Sequence, residues 1–226
     1  MQPTISGTAE SGDRLFFDNP VTSGDVVINL TAGTISGSPI SGTAIQRIED
    51  LQISLGGTAN GSFSAANDPN NTSNTFTIRS SGTGDIFVDT GGGADTIFYL
   101  ADSPTATALI LGGNGTDSVF VSAGKVTILD TAGSGNDYYA LGAGTQTLTF
   151  SQGNGTDTVQ NFVKGEDVLR LALGGDSNNS SFSISHANAD STTITTSRTN
   201  GQSGTIIVDE FLTQGDIDAG GARFIA

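Results

Sequence analysis

Between Thr75 and Leu173 apolar and polar residues alternate in short runs: TFTIR, DIFVD, TIFYL, ALIL, SVFVS, KVTIL, DYYAL, QTLTF, DTVQNF and DVLRLAL. A period of two over four to six residues is the pattern of a half-buried β-strand, one face packed and the other wet. The runs are separated by loops of two kinds that take turns. One kind is glycine-rich and ends in aspartate: TGGGAD (Thr90–Asp95), GGNGTD (Gly112–Asp117), AGSGND (Ala132–Asp137) and QGNGTD (Gln152–Asp157). The other kind is shorter or more variable, near 81–84, 102–107, 123–124, 142–145 and 163–166. The closing aspartates stand 22, 20 and 20 residues apart, and GNGTD itself returns after 40 residues. A period held this long predicts a solenoid. With two strands per period, every Gly–Asp loop falls on the same side.

The flanks carry weaker patterns. DRLFF (Asp13–Phe17), DVVINL (Asp25–Leu30) and IEDLQISL (Ile48–Leu55) read as strands, so residues 1–74 are expected to form further solenoid turns or a cap. Residues 56–74 hold little apolar content and read as an exposed loop, with a hinge or an extra turn as the alternatives. Beyond the roll at 75–173, residues 174–226 read as a β-hairpin, SFSISHANADSTTITTS, and a last strand, TIIVDEFL. The closing DIDAGGARFIA is either a cap over the final strand edge or an export signal. The predicted fold is all-β: a parallel β-roll or β-solenoid of about 20 residues per turn, capped by a C-terminal hairpin.

Composition sharpens this picture. Glycine supplies 32 residues and apolar types 35%, which suits short strands and tight turns and is too poor in helix formers for a bundle. The net charge of −15, from 23 acidic and 8 basic residues, argues against a nucleic-acid partner and for divalent cations. Without counter-charge such a chain approaches the composition of disordered segments. The absence of cysteine excludes disulfides and thiolate metal sites and suits an exported protein. The first residues lack a basic-then-apolar leader and no 18-residue apolar run exists, so no membrane span is expected and export is expected to use a signal elsewhere.

The loops carry the candidate chemistry. Calcium takes six to eight oxygens at about 2.3–2.6 Å, which carboxylates and backbone carbonyls supply. Alternating glycines let the backbone adopt φ > 0 and bring carbonyls close. A single loop offers too few oxygens, while two stacked loops complete a shell. The expected ligands are Asp95, Asp117, Asp137 and Asp157, with Gly91, Gly93, Gly113, Gly115, Gly133, Gly135, Gly153 and Gly155 shaping the loops. Four loops leave three gaps, hence about three Ca2+ ions on this coordination argument. Magnesium, with its stricter octahedral geometry, is the poorer fit.

Gly112–Phe120 (GGNGTDSVF) resembles the nonapeptide G-G-x-G-x-D-x-U-x of repeats-in-toxin (RTX) calcium-binding proteins. The other three loops keep G-x-G-x-D-x-U and replace the first glycine by Thr90, Ala132 or Gln152. DVVINLTAGTISG with IQRIEDLQISLGG is similar to strand pairs that precede such repeats, and DTVQNFVKGEDVLRLAL to the stretch that closes their rolls. The resemblance covers 90–173 closely and the rest loosely. It implies export through a type I secretion machinery that reads the C-terminal part, and folding outside the cell on binding calcium. One departure stands out. RTX rolls carry the nonapeptide on both sides, whereas this chain keeps it on one, leaving Asp85, Asp102 and Asp167 as candidates for individual ion binding.

No catalytic constellation emerges, and no enzyme is expected. His186 is the only histidine, no G-K-[ST] follows the glycine loops, and there is no tryptophan to line a sugar cleft beside the paired acids Glu49–Asp50, Glu166–Asp167 and Asp209–Glu210. The expected function is a secreted, calcium-binding structural protein of the cell surface or extracellular space that self-associates into a layer, filament or matrix. The alternatives are a C-terminal secretion and folding module of a larger exoprotein, and an adhesin or polysaccharide-binding module.

Overall fold

The computed structural model describes residues 4–6, 14–17, 20–30, 34–37, 50–65, 73–130, 135–151, 155–172, 180–198, 203–218 and 223–224. The chain is a parallel β-solenoid of about 5 turns with roughly 22 residues per turn. Each turn contributes one strand to each of two sheets. The first sheet stacks Asp50–Leu55, Thr75–Ser80, Thr96–Ala101, Ser118–Val121, Tyr138–Ala140 and Gly155–Gln160 in parallel. The second stacks Asp25–Asn29, Asn60–Ser64, Asp85–Asp89, Thr107–Leu111, Ala123–Asp130, Ala143–Phe150 and Val168–Leu171. Stacking runs across residue 75 without a break, so the strands before it are turns of the same solenoid.

Alternation along each strand decides what faces inward. Leu51, Ile53 and Leu55 are buried on the first sheet, then Phe76 and Ile78, Ile97 and Tyr99, Val119 and Val121 in the turns that follow. Val26 and Ile28, Phe63, Ile86 and Val88, Ile110, Val126 and Ile128, and Leu148 and Phe150 answer them from the second sheet. Because consecutive turns are in register, each inward column runs unbroken along the roll, and these side chains form one core. A thin core of this kind derives its stability from neighbour-on-neighbour burial, repeated turn by turn.

The expected exposed loop at 56–74 is corrected in part. Asn60–Ser64 is a strand with the pattern exposed–buried–intermediate–buried–intermediate, and it pairs in parallel with both Asp25–Asn29 and Asp85–Asp89. Phe63, fully buried, is its single large apolar anchor, which is why the pattern looked polar. Residues 66–72 lie outside the described residues, as do 219–222 of the closing segment and Glu49 of the first acidic pair.

The C-terminal hairpin is present. Ser180–Asn188 and Ser191–Arg198 pair antiparallel, and Ser203–Val208 joins them to the roll, antiparallel to the hairpin and parallel to Gly155–Gln160. The second sheet ends more briefly, on Ile217–Asp218. At the other end both sheets also finish in antiparallel strands, Thr4–Ser6 and Thr34–Gly37. His186 sits in the hairpin, its ring stacked on Phe211 at 4.1 Å and its Nε2 2.9 Å from the Leu212 carbonyl oxygen.

The loops on the Gly–Asp side stack as closely as the strands do. A Cβ placed on Gly113 would stand 1.9 Å from the Gly91 oxygen, one on Gly115 1.6 Å from that of Gly93, and one on Gly135 1.5 Å from that of Gly115. Gly115 also has φ +135°, which side chains disfavour. Gly165, on the opposite edge at φ +89°, has nothing within 4 Å of its would-be Cβ. Gly165→Ala therefore meets only the backbone term and is expected to cost roughly 1–2 kcal/mol. Gly115→Ala adds overlap with the neighbouring turn and is expected to cost more than about 3 kcal/mol. Urea unfolding, under conditions where the parent chain is folded, separates the two; equal costs would contradict the stacking.

Candidate metal centre

Each Gly–Asp loop carries the chain from the second sheet to the first, so its aspartate opens a first-sheet strand. Strand alternation then turns that side chain inward. Asp95 and Asp117 are 1% exposed, Asp157 5% and Asp137 6%. The carboxylates stand inside the roll, in line with the apolar columns, and not at a solvent-facing loop rim.

They are tied to one another through the backbone. The Asp95 N–H donates to Asp117 Oδ1 at 2.8 Å, the Asp117 N–H to Asp137 Oδ1 at 2.8 Å, and the Asp137 N–H to Asp157 Oδ1 at 3.0 Å. Asp95 Oδ1 in turn accepts from the Asn74 N–H at 2.6 Å. Every carboxylate thus reaches back toward the N-terminal turn and closes a gap between coils. This spends one oxygen of each. Among the described residues Asp117 Oδ2 is buried without a hydrogen-bond partner, and Asp137 Oδ2 meets the Tyr139 hydroxyl at 3.5 Å.

Loop carbonyls are partly spent as well. The Asn114 N–H donates to the Gly91 oxygen and the Gly93 N–H to the Asn114 oxygen, at 2.7 and 3.0 Å. The glycines at 91, 93, 113, 115 and 155 have φ > 0, as the pattern predicted, while Gly135 does not and is required by close approach alone. Gly133 and Gly153 lie outside the described residues.

A carboxylate in such a place is costly to ionise. Burial pushes Asp117 up to about 7, with the charges of Asp137, Asp95 and Asp130 adding to the rise. Burial pushes Asp157 up to about 8, and Asp130 and Asp137 raise it further. Asp130 is likewise raised by burial to about 7, and Asp137 is raised for the same first cause. The ion pairs among the described residues, Arg14–Asp50, Lys164–Asp216 and Arg170–Asp218, all lie elsewhere. Asp117, Asp137 and Asp157 therefore form a column of desolvated like charges that no Lys or Arg among the described residues is seen to neutralise.

The row fits a calcium ion in kind: oxygen donors only, anionic, with unspent oxygens inside the roll. Asp130 is the member that the loop motif missed. It ends the strand Ala123–Asp130, and one oxygen from each of Asp130, Asp137 and Asp157 lies within 4.8 Å of the others. The signal was present in the alternation, since Val126, Ile128 and Asp130 share a face. The individually considered acids separate. Asp167 is buried and saturated by the N–H groups of Gln146 and Val163, both at 2.8 Å. Asp85 is exposed on the outer face, where it accepts from the Thr107 hydroxyl, and Asp102 is exposed on the opposite edge. Of the remaining acidic pairs, Asp209 accepts the N–H groups of Asn161 and Phe162, a capping role at the end of the roll.

No family model matches the chain, and no curated protein does. The residues of the site therefore carry the functional argument alone.

The raised carboxylates make a pH prediction. In the folded state Asp117, Asp130 and Asp157 hold protons up to about 7 or 8, whereas unfolded aspartates release them near 3.8. Between those limits the folded state binds more protons, so their contribution to stability is complete below about 3.8 and is lost as pH rises through 7 to 8. Without divalent ions, the melting temperature is expected to fall as the pH is raised from 5, until the fold is lost near 7 to 8, and Asp117→Asn to flatten the slope. A profile that stays level or rises would show that the row is solvated or already neutralised.

Proposed function

We propose that this protein is a calcium-dependent structural solenoid of the RTX type, which folds outside the cell when Ca2+ enters the aspartate row and then self-associates. The observation that carries this reading is the row itself: four buried, in-register carboxylates, of which Asp117, Asp137 and Asp157 enter none of the ion pairs Arg14–Asp50, Lys164–Asp216 and Arg170–Asp218 found among the described residues. Two physical outcomes relieve such a row, protonation or a bound cation. At neutral pH a divalent ion does so while also filling the unspent oxygens.

A ligand that binds only the folded state stabilises it by mass action, by about 2.7 kcal/mol per independent site at one hundred times the dissociation constant. Three gaps so filled approach the whole stability of an ordinary domain. Calcium would thereby act as a folding switch, low in the cytosol where a secretion machinery needs an unfolded chain, and abundant outside. Residues Asp95, Asp117, Asp137 and Asp157 hold the ions in this reading, and the glycine loops position them.

Self-association is supported by what the outer surface offers. Phe98 and Phe120 stack at 5.0 Å, and Tyr138 continues the run at 5.7 Å from Phe120, on the outward face of the first sheet. Val27, Val163, Ile207 and Phe211 are large apolar residues left exposed. His186 serves packing in the hairpin, and the acids of the roll serve the stack, which favours a structural role over catalysis. No helix among the described residues is long and apolar enough to cross a membrane.

The test is circular dichroism and light scattering on the intact chain, first with excess chelator and then with calcium. The expected result is loss of the β signal in chelator, its recovery with calcium, and growth in particle size on recovery. An unchanged spectrum across the two conditions would sink the calcium switch. Recovery of structure as a strict monomer would remove self-association and leave the switch.

A further inference from the structure

The loop motif accounts for four aspartates and leaves Asp130 without a role. Its column explains what is unusual about it. Thr90, Gly112 and Asp130 directly follow Asp89, Leu111 and Leu129, which are paired in register on the second sheet. In the first of these turns the position is a buried threonine whose hydroxyl donates to the Gly112 oxygen, and in the second it is glycine. Only the third turn places an acid there, and the fourth covers it with Phe150.

The geometry around it is that of ligands to one ion. Donors on opposite sides of a calcium ion stand about 4.6–5.2 Å apart. Oxygens of Asp130, Asp137 and Asp157 lie within 4.8 Å of one another. An independent feature points into the same column. Asp117, 1% exposed, keeps an unpartnered Oδ2 that stands 3.2 Å from where a Cβ on Gly112 would be, so it is aimed at the line of positions that Asp130 continues. Tyr139 forms the wall: its hydroxyl is 3.5 Å from Asp137 Oδ2, its ring meets Phe150 edge-on at 5.7 Å, and it is 1% exposed.

We propose that Asp130, Asp137 and Asp157 form a composite cation site, walled by Tyr139, that takes calcium or a trivalent lanthanide ahead of the other gaps between loops. This rests on the calcium reading of the row and adds that the gaps are unequal, with an acid outside the motif setting the order. A third carboxylate raises the charge of the ligand set, which is one of the two means by which calcium affinity is tuned. The apolar cover of Phe150, in register with Asp130 and edge-on to Tyr139, lowers the local dielectric and strengthens the attraction to a divalent or trivalent ion.

Terbium tests the site directly, because its emission is sensitised by nearby tyrosine and the chain has no tryptophan. On the full chain, the first equivalent of Tb3+ is expected to give tyrosine-excited emission that Tyr139→Phe largely abolishes. Tyr138→Phe, whose hydroxyl is turned to Gln160 at 2.7 Å, is expected to keep it. Calorimetric titration with Ca2+ is expected to show Asp130→Asn weakening the tightest site about tenfold or more, while Asp85→Asn on the outer face titrates as the parent. A parent chain that takes up neither ion would overturn the calcium reading and this site with it. Normal calcium uptake with an unaltered Asp130→Asn titration, or emission that survives Tyr139→Phe, would overturn the composite site alone. The tyrosine arm holds even if the Asp130 variant fails to fold.

Discussion

The spacing of adjacent strands, about 4.8 Å, is the constraint from which the rest of this structure follows. In a parallel in-register stack each residue is placed that far from its own counterpart, so whatever occupies a column must tolerate its own repetition. Isoleucine, valine and phenylalanine tolerate it well and form the core. Glycine in the loops is demanded by it, since Gly115 and Gly135 leave no room for a Cβ beneath the next turn. Aspartate is the residue that tolerates it worst. Two unit charges at this distance repel by on the order of 3 kcal/mol at an effective dielectric constant of 20. The backbone N–H that each carboxylate accepts offsets part of this, and the residual repulsion is what a cation or a proton relieves.

Much of this was legible because the chain repeats. The strands between 75 and 171, the one-sided placement of the Gly–Asp loops and the closing hairpin all follow from alternation and period. The strand Asn60–Ser64 was hidden because one buried phenylalanine, with glycine and serine around it, satisfies a narrow part of the roll without an alternating signature. The inward turn of the aspartates was hidden for a different reason. A loop motif says which residues gather, while the parity of the following strand says which way they face. Counting back from Ile97, Val119 and Val159 puts Asp95, Asp117 and Asp157 on the buried face, so the parity was available and the polarity of the residue obscured it. Asp130 was missed likewise, because it follows its strand's apolar run and looks like the first residue of a turn.

The glycines also change meaning between sequence and structure. A positive φ explains Gly91, Gly93, Gly113, Gly115 and Gly155, and frees their carbonyls in principle. In the first pair of loops two carbonyls are nevertheless consumed by hydrogen bonds between the loops. The stack is therefore held by its own backbone, and the carboxylates supply the anionic oxygens an ion would require. This division explains how a roll with the full nonapeptide only once, at Gly112–Phe120, still has the aspartate in all four loops: the first position needs no positive φ, as at Gly112, while the aspartate joins one turn to the next.

The row has a direction, and the direction bears on how it is closed. Each carboxylate points back to the preceding turn, so the N-terminal end finishes on a neutral donor, the Asn74 N–H. At the C-terminal end no further aspartate among the described residues reaches back to Asp157. Its register partner in the following strand is Ile206, an apolar side chain 3% exposed. The last carboxylate is thus sealed by the cap without being answered by it, and it is pushed up to about 8. A charge that must be buried is most strained where the stack ends. It is at this end that Asp130 and Tyr139 gather around Asp137 and Asp157. The cap and the charge of the row are therefore one problem: with Ser203–Val208 closing the first sheet over Asp157, the carboxylate is held there by its proton up to about pH 8, or by a cation in its place.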